Sequence, residues 1–312
     1  MSAARVGATV LAYGGGGEHG PLLESLIGQG LPAEDIVVVH NPARPGEPPP
    51  TVPDGCALIQ TERNLGYAAG MNRGIAWLRR HRAELLLVLT HDARLRDGAL
   101  ERLIDAAERR PDFGVLGPVL VLAGTDAPFS FGGISRANGT TAHLRRRPDA
   151  DGGVAACDWL DGGTMLIRAE AVAAVGGFDE RFWGYCEEAD LCLRVRRSGL
   201  RVGIVLDALA EQDPGGPKRP GAWTYLLTRN GAEYARRAAG PYGALTLEAR
   251  AVALIALNLA RVLLRTVRHR PGGPREPWVL AVATARGALD FLRRRWGPPP
   301  PDLPGMGDLH NA

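Results

Sequence analysis

The sequence predicts an α/β protein with a mostly parallel sheet, followed by a helical extension. Short apolar runs alternate with amphipathic helical patterns before residue 220, which is typical of parallel strands joined by crossover helices. The continuous apolar run "LLLVL" indicates a strand that is buried on both faces. We therefore expect an α/β domain over residues 1–220, amphipathic helices over 221–297 and a disordered tail over 298–312.

The composition is that of an ordinary globular protein and excludes few classes. The chain has 312 residues, 45% hydrophobic and 23% charged, and a formal charge of +3 that gives no reason to expect nucleic acid as a partner. Its four cysteines have no CxxC spacing, so we expect reduced thiols. Neither a secretory signal nor a spanning apolar run is apparent, and the expected location is cytoplasmic.

The order of the elements follows from their local patterns. Pro21 is a favoured first helical residue and opens the first helix. Periodicity is lost between residues 129 and 153, which predicts a flexible loop over a site. Strands are expected at 5–13, 35–41, 56–61, 84–90 and 113–122, helices at 21–30, 66–81 and 97–110, a strand, two helices and a last strand within 158–205, and further helices at 223–238, 244–270 and 277–296.

The glycine-rich stretch "YGGGGEHG" lies where a nucleotide-binding loop would lie. It contains Gly15-x-Gly17-x-x-Gly20 between a strand and a helix, but four successive glycines fit that fingerprint in more than one register. The second strand ends in His40 and Asn41 rather than in the acid that a Rossmann site places on the ribose, which disfavours NAD. We expect Tyr13, Gly14 and the loop either to lie near a phosphate or ribose or to form a mobile turn without a ligand.

Two further clusters carry residue types suited to binding or catalysis. The first consists of small and amide residues at a strand-to-helix junction, namely Asn64, Gly66, Gly70 and Asn72. The small residues let the backbone approach a nucleotide, and the amides can bond its base or ribose. The alternative is that these residues only cap the helix. The second places three acids in four positions, Glu187, Glu188 and Asp190. Their repulsion raises at least one pKa towards that of a general base. Asp190 can pair with Arg194 four residues on, which leaves the two glutamates for chemistry or as a solvated helix start.

Three segments resemble the family 2 inverting glycosyltransferases, especially the rhamnosyltransferase-like branch. "NLGYAAGMNRGI" is similar to that branch's Asn-x-Gly-aromatic signature, and "LLVLTHDARL" occupies the place of its metal-binding strand end. "GGFDERFWGYCEEADLCLRVRRSGLRV" is similar to its Gly-Gly-Phe-Asp-Glu segment followed by Tyr-x-Glu-Asp-x-Asp-Leu-x-x-Arg. The resemblance covers about residues 5 to 235 and implies the GT-A fold.

The resemblance also implies roles for individual residues. Glu188 occupies the position of the general base, with Glu187 as its neighbour, and Asp92 is the principal ligand of a divalent cation, Mg²⁺ or Mn²⁺. His91 then faces the ribose or the metal, or only closes the strand. His40 and Asn41 stand where the family has an Asp-Asn pair that holds the base, and a neutral imidazole can still bond a base edge.

Two more positions follow from the same resemblance. Asp161 and Gly162 lie in the segment expected to line the donor sugar, although Asp161 could equally cap a turn. Gln212 stands near the place of a metal-binding histidine, and its amide oxygen is an acceptable ligand for a hard cation. A shift of the alignment by one residue would place Glu211 or Asp213 there instead.

The arginine-studded C-terminal helices leave two explanations open. They can pack onto the catalytic domain or a second subunit, as a homodimer, or they can lie on an anionic membrane surface. Packing is the commoner of the two, and the pattern does not choose between them.

The resulting functional hypothesis is a transferase for polysaccharide or natural-product biosynthesis. It moves a sugar from a UDP-, dTDP- or GDP-linked donor to an acceptor hydroxyl with inversion, assisted by a metal. The alternatives are a nucleotidyltransferase and a non-catalytic module that binds a sugar nucleotide or a partner. The first loop has no Lys or Arg to meet a triphosphate, which disfavours the nucleotidyltransferase.

Overall fold

The computed structural model describes residues 4–14, 19–212, 220–267 and 275–304. The chain divides into two compact units. The first unit consists of Met1–Ile134, Thr141–Asp179 and Glu187–Pro214. The second consists of Ser135–Thr140, Glu180–Cys186 and Gly215–Ala312, so two short stretches of the expected α/β domain belong to the helical unit.

Strands and helices alternate in the first part of the chain, as the sequence predicts. The strands are β1 (Val6–Tyr13), β2 (Ile36–Asn41), β3 (Ala57–Gln60), β4 (Leu85–Thr90), β5 (Arg94–Leu95), β6 (Phe113–Leu122), β7 (Pro128–Ser130), β8 (Gly133–Ser135), β9 (Thr141–His143), β10 (Val154–Cys157), β11 (Thr164–Arg168) and β12 (Arg201–Gln212). The helices among them are α1 (His19–Gly28), α2 (Gly66–Arg80), α3 (Ala99–Arg109), α4 (Ala169–Val175) and α5 (Glu187–Arg197).

The central sheet is mixed but largely parallel, with the order β10-β12-β6-β11-β4-β1-β2-β3. β1 pairs in parallel with β2 and β4, β2 with β3, and β12 with β6, whereas β11 runs antiparallel to both β4 and β6. β4, β6 and β12 therefore share one direction, and their carboxyl ends lie at the same edge as those of β1 and β2. Ligands of open α/β sheets bind beyond this edge.

The core of the first unit lies between this sheet and its helices. Leu87 and Leu89 of β4 and Val38 of β2 are fully buried, as their uninterrupted apolar runs predict. The stretch from 129 to 153 differs from the expected flexible loop because it contains the three short strands β7, β8 and β9. α1 begins at His19, two residues before the expected Pro21.

The second unit contains two long helices, α6 (Pro220–Val267) and α7 (Arg275–Leu292). α6 joins two of the expected helices across a kink at Ala239 and Gly240, before Pro241, a residue that cannot donate a helical hydrogen bond. None of the described helices is both long enough and apolar enough to cross a membrane.

The expected disordered tail needs a correction at its start. Leu303 is 5% exposed and packs with Tyr225 and Leu226 of α6, since burying a leucine side chain stabilises a folded segment. Residues 305–312 lie outside the described residues.

Candidate active site

The two candidate catalytic glutamates begin α5 and differ in accessibility. Glu187 is 4% exposed and its Oε2 has no hydrogen-bond partner among the described residues, whereas Glu188 is half-buried. Acidic residues in the first turn are favoured by the exposed N–H groups at a helix N-terminus, which explains why three acids are tolerated here. Glu188 is therefore the glutamate that a substrate could reach.

Burial and mutual repulsion set the pKa values of this pair. Burial raises the pKa of Glu187 well above its ordinary value, and the neighbouring charges of Glu188 and Asp190 raise it further. Burial also raises the pKa of Glu188, to about 7, with a contribution from Asp161. Burial thus favours the protonated form of Glu187, whereas Glu188 is poised between its two forms near neutral pH, as a general base requires.

Asp190 has the structural role that its spacing suggests. Its Oδ2 accepts a hydrogen bond from Nε of Arg194 at 2.7 Å, and the carboxylate is fully buried. The same guanidinium donates to the carbonyl of Val175 at the end of α4. Asp190 therefore ties α5 to α4 through Arg194 and is not available to a substrate.

Asp161 lies in a polar cluster beside Glu188. Ser130 Oγ donates to Asp161 Oδ2 at 3.2 Å, and His143 Nδ1 lies 3.7 Å from the same oxygen. Burial raises the pKa of Asp161, although His143 and the hydrogen bond from Ser130 oppose that shift. The His143 ring packs edge-on against Trp159, with centroids 4.9 Å apart. Asp161 is thus held in one orientation by two residues from the β7–β9 region.

Tyr67 is bonded to the segment expected to line the donor sugar and lies near the acidic pair. Its hydroxyl donates to the carbonyl of Gly162 at 2.5 Å, and its ring meets Phe178 edge-on at 5.4 Å. Burial raises the pKa of Tyr67 well above its ordinary value, and the charges of Glu187 and Glu188 add to this effect. The phenol therefore stays protonated and keeps donating to Gly162.

Asn72 fixes the turn that precedes the acidic helix. Its Nδ2 donates to the carbonyl of Phe178, and its Oδ1 accepts from the N–H of the same residue, each at 2.9 Å. Gly177 has φ +82, and a Cβ there would lie 2.7 Å from Oδ1 of Asn72, so the turn requires glycine. These contacts assign Asn72 to the scaffold of the site. A nucleotide contact is no longer needed to explain it.

The ends of β1 and β2 contain the candidate nucleotide contacts. His40 is fully buried, and neither ring nitrogen has a hydrogen-bond partner among the described residues. Burial lowers its pKa, Glu47 opposes that shift and His19 adds to it, which favours the neutral imidazole. Gly14 has φ +71 and donates its N–H to the carbonyl of Asn41, after Tyr13 at the end of β1. Gly15 and Gly17 lie outside the described residues.

The amide of Asn41 belongs to the scaffold. Its Nδ2 donates to the carbonyl of Gly66 at 2.8 Å, and its Oδ1 accepts from Leu65 and Thr61, so the side chain holds the start of α2. Asn64 Oδ1 accepts from the N–H of Gly66 at 2.8 Å in a local turn just before α2, whose N-cap residue is Leu65 and has no side-chain cap.

Gly70 lies where α2 packs on β1. A Cβ at Gly70 would lie 2.5 Å from Leu11, because α2 packs closely on β1. Gly74 approaches Thr9 in the same way, at 1.8 Å. Gly70 therefore serves helix packing, which accounts for the glycine without a nucleotide contact.

The candidate metal ligands lie at the same sheet edge. His91 and Asp92 follow β4, and the N–H of His91 donates to the carbonyl of Leu11. β5 then pairs with the end of β12, where Glu211 lies opposite Arg94 and Gln212 follows. Asp92 is exposed, and Oε1 of Gln212 is buried without a partner among the described residues.

These donors suit a hard divalent cation but do not complete its coordination. One carboxylate and one amide oxygen are of the right type, and the unpaired Gln212 oxygen would gain a partner. Within the described residues, no group of three or more His, Cys, Asp or Glu side chains is arranged to hold a metal. Residues 213–219, which follow Gln212, lie outside the described part of the chain.

Ser130, His143 and Trp159 were not singled out from the sequence. The first two lie in the segment without periodicity, and nothing in their spacing marks them. Tyr67 had a detectable signal, because it fills the aromatic position of the "NLGYAAG" motif.

Comparisons with known proteins find similar family models and a similar fold. The model described as "Glycosyl transferase family 2" matches residues 20–145, and one described as "N-terminal domain of galactosyltransferase" matches residues 157–211. The fold is similar to that of GalNAc-T7 in a crystal structure with UDP, GalNAc and Mn²⁺, with a TM-score of 0.53 and 12% identity over 77% of this chain and 52% of the other. The chain thus has a GT-A-like α/β fold, as predicted.

Two curated relatives are rhamnosyltransferases. The N-acetylglucosaminyl-diphospho-decaprenol L-rhamnosyltransferase of Mycobacterium tuberculosis is 29% identical over 194 residues, which cover 53% of this chain and 61% of the relative. Rhamnosyltransferase WbbL of Escherichia coli is 44% identical over 48 residues, 15% of this chain and 18% of that protein. The chain therefore spans about three fifths of the first relative's length. Together with the motifs and the fold, these matches show that the chain is similar to family 2 glycosyltransferases over residues 20–145 and distantly similar to rhamnosyltransferases.

Proposed function

We propose that this chain transfers a sugar from a nucleoside diphosphate sugar to an acceptor hydroxyl with inversion, and that Glu188 is the general base. The observation that carries the proposal is the half-buried Glu188 carboxyl, whose pKa of about 7 lies where a base for an acceptor hydroxyl is needed. Asp161, which helps to raise that pKa, belongs to the segment expected to line the donor sugar.

In the proposed reaction, the Glu188 carboxylate takes the proton of the acceptor hydroxyl as its oxygen attacks the anomeric carbon. A new carbon–oxygen bond forms on the face opposite the diphosphate, and the bond to the diphosphate oxygen breaks. Asp161, held by Ser130 and His143, accepts hydrogen bonds from donor-sugar hydroxyls.

The nucleotide would lie beyond the carboxyl ends of β1 and β2, where the unpartnered His40 nitrogens can bond a base edge. Asp92 and Gln212 would hold a divalent cation. When bound, such a cation supplies positive charge that stabilises the departing diphosphate. The similarity to a structure determined with UDP and Mn²⁺ and the donor types at this edge support this assignment.

We propose L-rhamnose as the transferred sugar and a lipid-linked glycan as the acceptor, since the relative from Mycobacterium tuberculosis carries these substrates in its name. The test is hydrolysis and transfer with a panel of UDP-, dTDP- and GDP-linked sugars, rhamnose among them, with and without Mn²⁺. Metal-dependent turnover of one donor is the expected result. Nucleotide binding that ignores Mn²⁺, with no turnover of any donor, would instead indicate a non-catalytic binding module.

A further inference from the structure

The segment 182–186, which precedes α5, has an unusual backbone. Trp183, Tyr185 and Cys186 have φ values of +62°, +66° and +70°. Three of the five non-glycine residues with positive φ in the described part of the chain therefore lie within this segment. A side chain makes the left-handed conformation unfavourable, and it persists only where the surroundings hold it. The 182–186 segment thus needs an anchor elsewhere in the protein, as strained backbone at active sites does.

The side-chain amide of Asn230 in α6 is that anchor. Asn230 is fully buried. Its Nδ2 donates to the carbonyls of Phe182, Gly184 and Tyr185 at 2.7, 2.7 and 3.0 Å. An amide nitrogen has two hydrogens to donate, so three carbonyls share them and all face the same atom. One side chain thus holds most of the 182–186 backbone, and these contacts all lie within the second unit.

Arg229, the preceding residue, orients this amide. Its Nε donates to Oδ1 of Asn230 at 2.9 Å, which leaves Nδ2 for the three carbonyls. The guanidinium is itself 1% exposed, and it donates to the hydroxyl of Tyr225 at 3.1 Å and to the carbonyl of Gly297 at 2.8 Å. A buried polar network whose members are all bonded is rigid. The amide of Asn230 therefore has one orientation in the folded protein.

The 182–186 segment leads directly into the helix that carries the proposed base. Cys186 is followed by Glu187, the first residue of α5, and Glu188 is the next. The backbone that carries Glu188 therefore begins where the held segment ends. A displacement of about 1 Å at a reacting group can lower a rate by about 100-fold, even when its cause lies far from the reaction.

We propose that Asn230 is a positioning residue for sugar transfer, which holds the backbone of the 182–186 segment and so fixes the start of the helix that carries Glu188. The inference rests on the proposed function, because Glu188 is the proposed base. Asn230 is buried and acts through the segment, not on the substrate.

Asn230→Asp is the most specific perturbation. The carboxylate keeps the size of the side chain and the oxygen that accepts from Arg229, but it replaces the donor that faces three carbonyls by an acceptor. N230A removes the donor without adding a charge, and it is the second variant if N230D does not fold. Asn258→Asp is the matched control, because Asn258 is also a buried asparagine of α6 and accepts a hydrogen bond from Arg261 of the same helix.

The first measurement is kinetic, with each protein concentration normalised to its donor-binding sites, so that a loss of folded protein is removed from the comparison. We expect N230D and N230A to lower the turnover of transfer about 100-fold and to leave the dissociation constant of the donor within about threefold. N258D should behave like the wild type. Wild-type turnover in both Asn230 variants would overturn the inference, as would a loss of donor affinity large enough to explain the lost turnover.

The second measurement needs no substrate. Arg181 is exposed and lies directly before the 182–186 segment, so brief digestion with trypsin followed by mass spectrometry detects opening of this segment. Cleavage after Arg181 should be at least about tenfold faster in N230A and N230D than in the wild type and N258D, because cleavage follows the population of the open form. Cleavage after the exposed Arg146 should be equal in all four proteins.

The two measurements distinguish a failure of this inference from a failure of the proposed function. Unchanged cleavage after Arg181 would show that Asn230 does not hold the segment, whatever the transfer rates are. A wild-type protein that transfers no sugar would refute the proposed function, and the digestion would still decide whether Asn230 holds the segment.

Discussion

Replacing Glu188 by Gln tests two properties of this residue separately: its role in proton transfer and the effect of its ionised carboxylate on the free energy of unfolding. The amide keeps the shape of the side chain but cannot take a proton. We expect transfer to fall at least about 100-fold, the usual contribution of a general base, while the dissociation constant of the donor nucleotide changes less than about threefold. Wild-type kcat should rise with pH through about 7, whereas the residual rate of the variant should not follow that titration.

The stability of the same variant should also depend on pH. The pKa of Glu188 is raised from 4.5 to about 7 in the folded protein, so the wild type loses stability as pH rises from 4.5 through 7 and Glu188 ionises. Each pH unit of displacement is worth about 1.4 kcal/mol, which sets an upper limit of about 3 kcal/mol. E188Q should therefore match the wild type at pH 4 and unfold at higher urea than the wild type at pH 8.5.

Glu187→Gln is the matched comparison, because burial raises the pKa of the neighbouring carboxyl well above its ordinary value and the amide is nearly isosteric with the protonated acid. It should retain most of the transfer rate. The reasoning is refuted if E188Q keeps wild-type transfer, or if E187Q is the variant that loses it. A stability difference for E188Q that is the same at pH 4 and pH 8.5 would refute the pKa argument alone.

Three further predictions address other parts of the site. His40→Ala should weaken nucleotide binding about tenfold in calorimetry, with little change between pH 7 and 8, because the lowered pKa keeps His40 neutral there; equal affinity would remove it from the base site. Asp190→Asn should lower the free energy of unfolding by about 3 kcal/mol in urea, since it leaves Arg194 without its buried partner; a change below about 1 kcal/mol would contradict the structural role. Asp92→Asn should abolish any gain in donor affinity from Mn²⁺, and a gain that persists would exclude Asp92 as the principal ligand.

The sequence predicted the parts of the fold whose cause is local. β4 and β6 were expected within one residue of their observed ends, because uninterrupted apolar runs leave little choice of register or burial. The pairing of Asp190 with Arg194 was likewise foreseeable from helical spacing alone. The joining of two expected helices into α6 was not foreseeable. Pro241 cannot donate a helical hydrogen bond, so a proline at this position predicts a break between two helices and not a kink within one.

Contacts between distant segments had no such signal. Ser130, His143 and Asp161 meet across 31 residues of chain, and the first two lie in a stretch without periodicity. Gly70 shows the opposite difficulty, in that a glycine at the start of a helix suits both a bound nucleotide and a closely packed strand. In the structure a Cβ at Gly70 would lie 2.5 Å from Leu11, so close packing is sufficient to account for this glycine.

Unpaired buried polar atoms help to locate a ligand only when their position is considered. Thr9 Oγ1 is also buried without a partner among the described residues, but it lies in the middle of β1 beneath Gly74, where close helix packing leaves no space for a ligand. The nitrogens of His40 and Oε1 of Gln212 lie instead at the ends of β2 and β12, at the carboxyl edge of the sheet. An unpaired buried group costs about 1–3 kcal/mol, and a ligand that bonds these atoms would recover that energy on binding. Donor binding should therefore depend on His40 and Gln212 more than on the amides of Asn41 and Asn72, whose hydrogen bonds are already made within the protein.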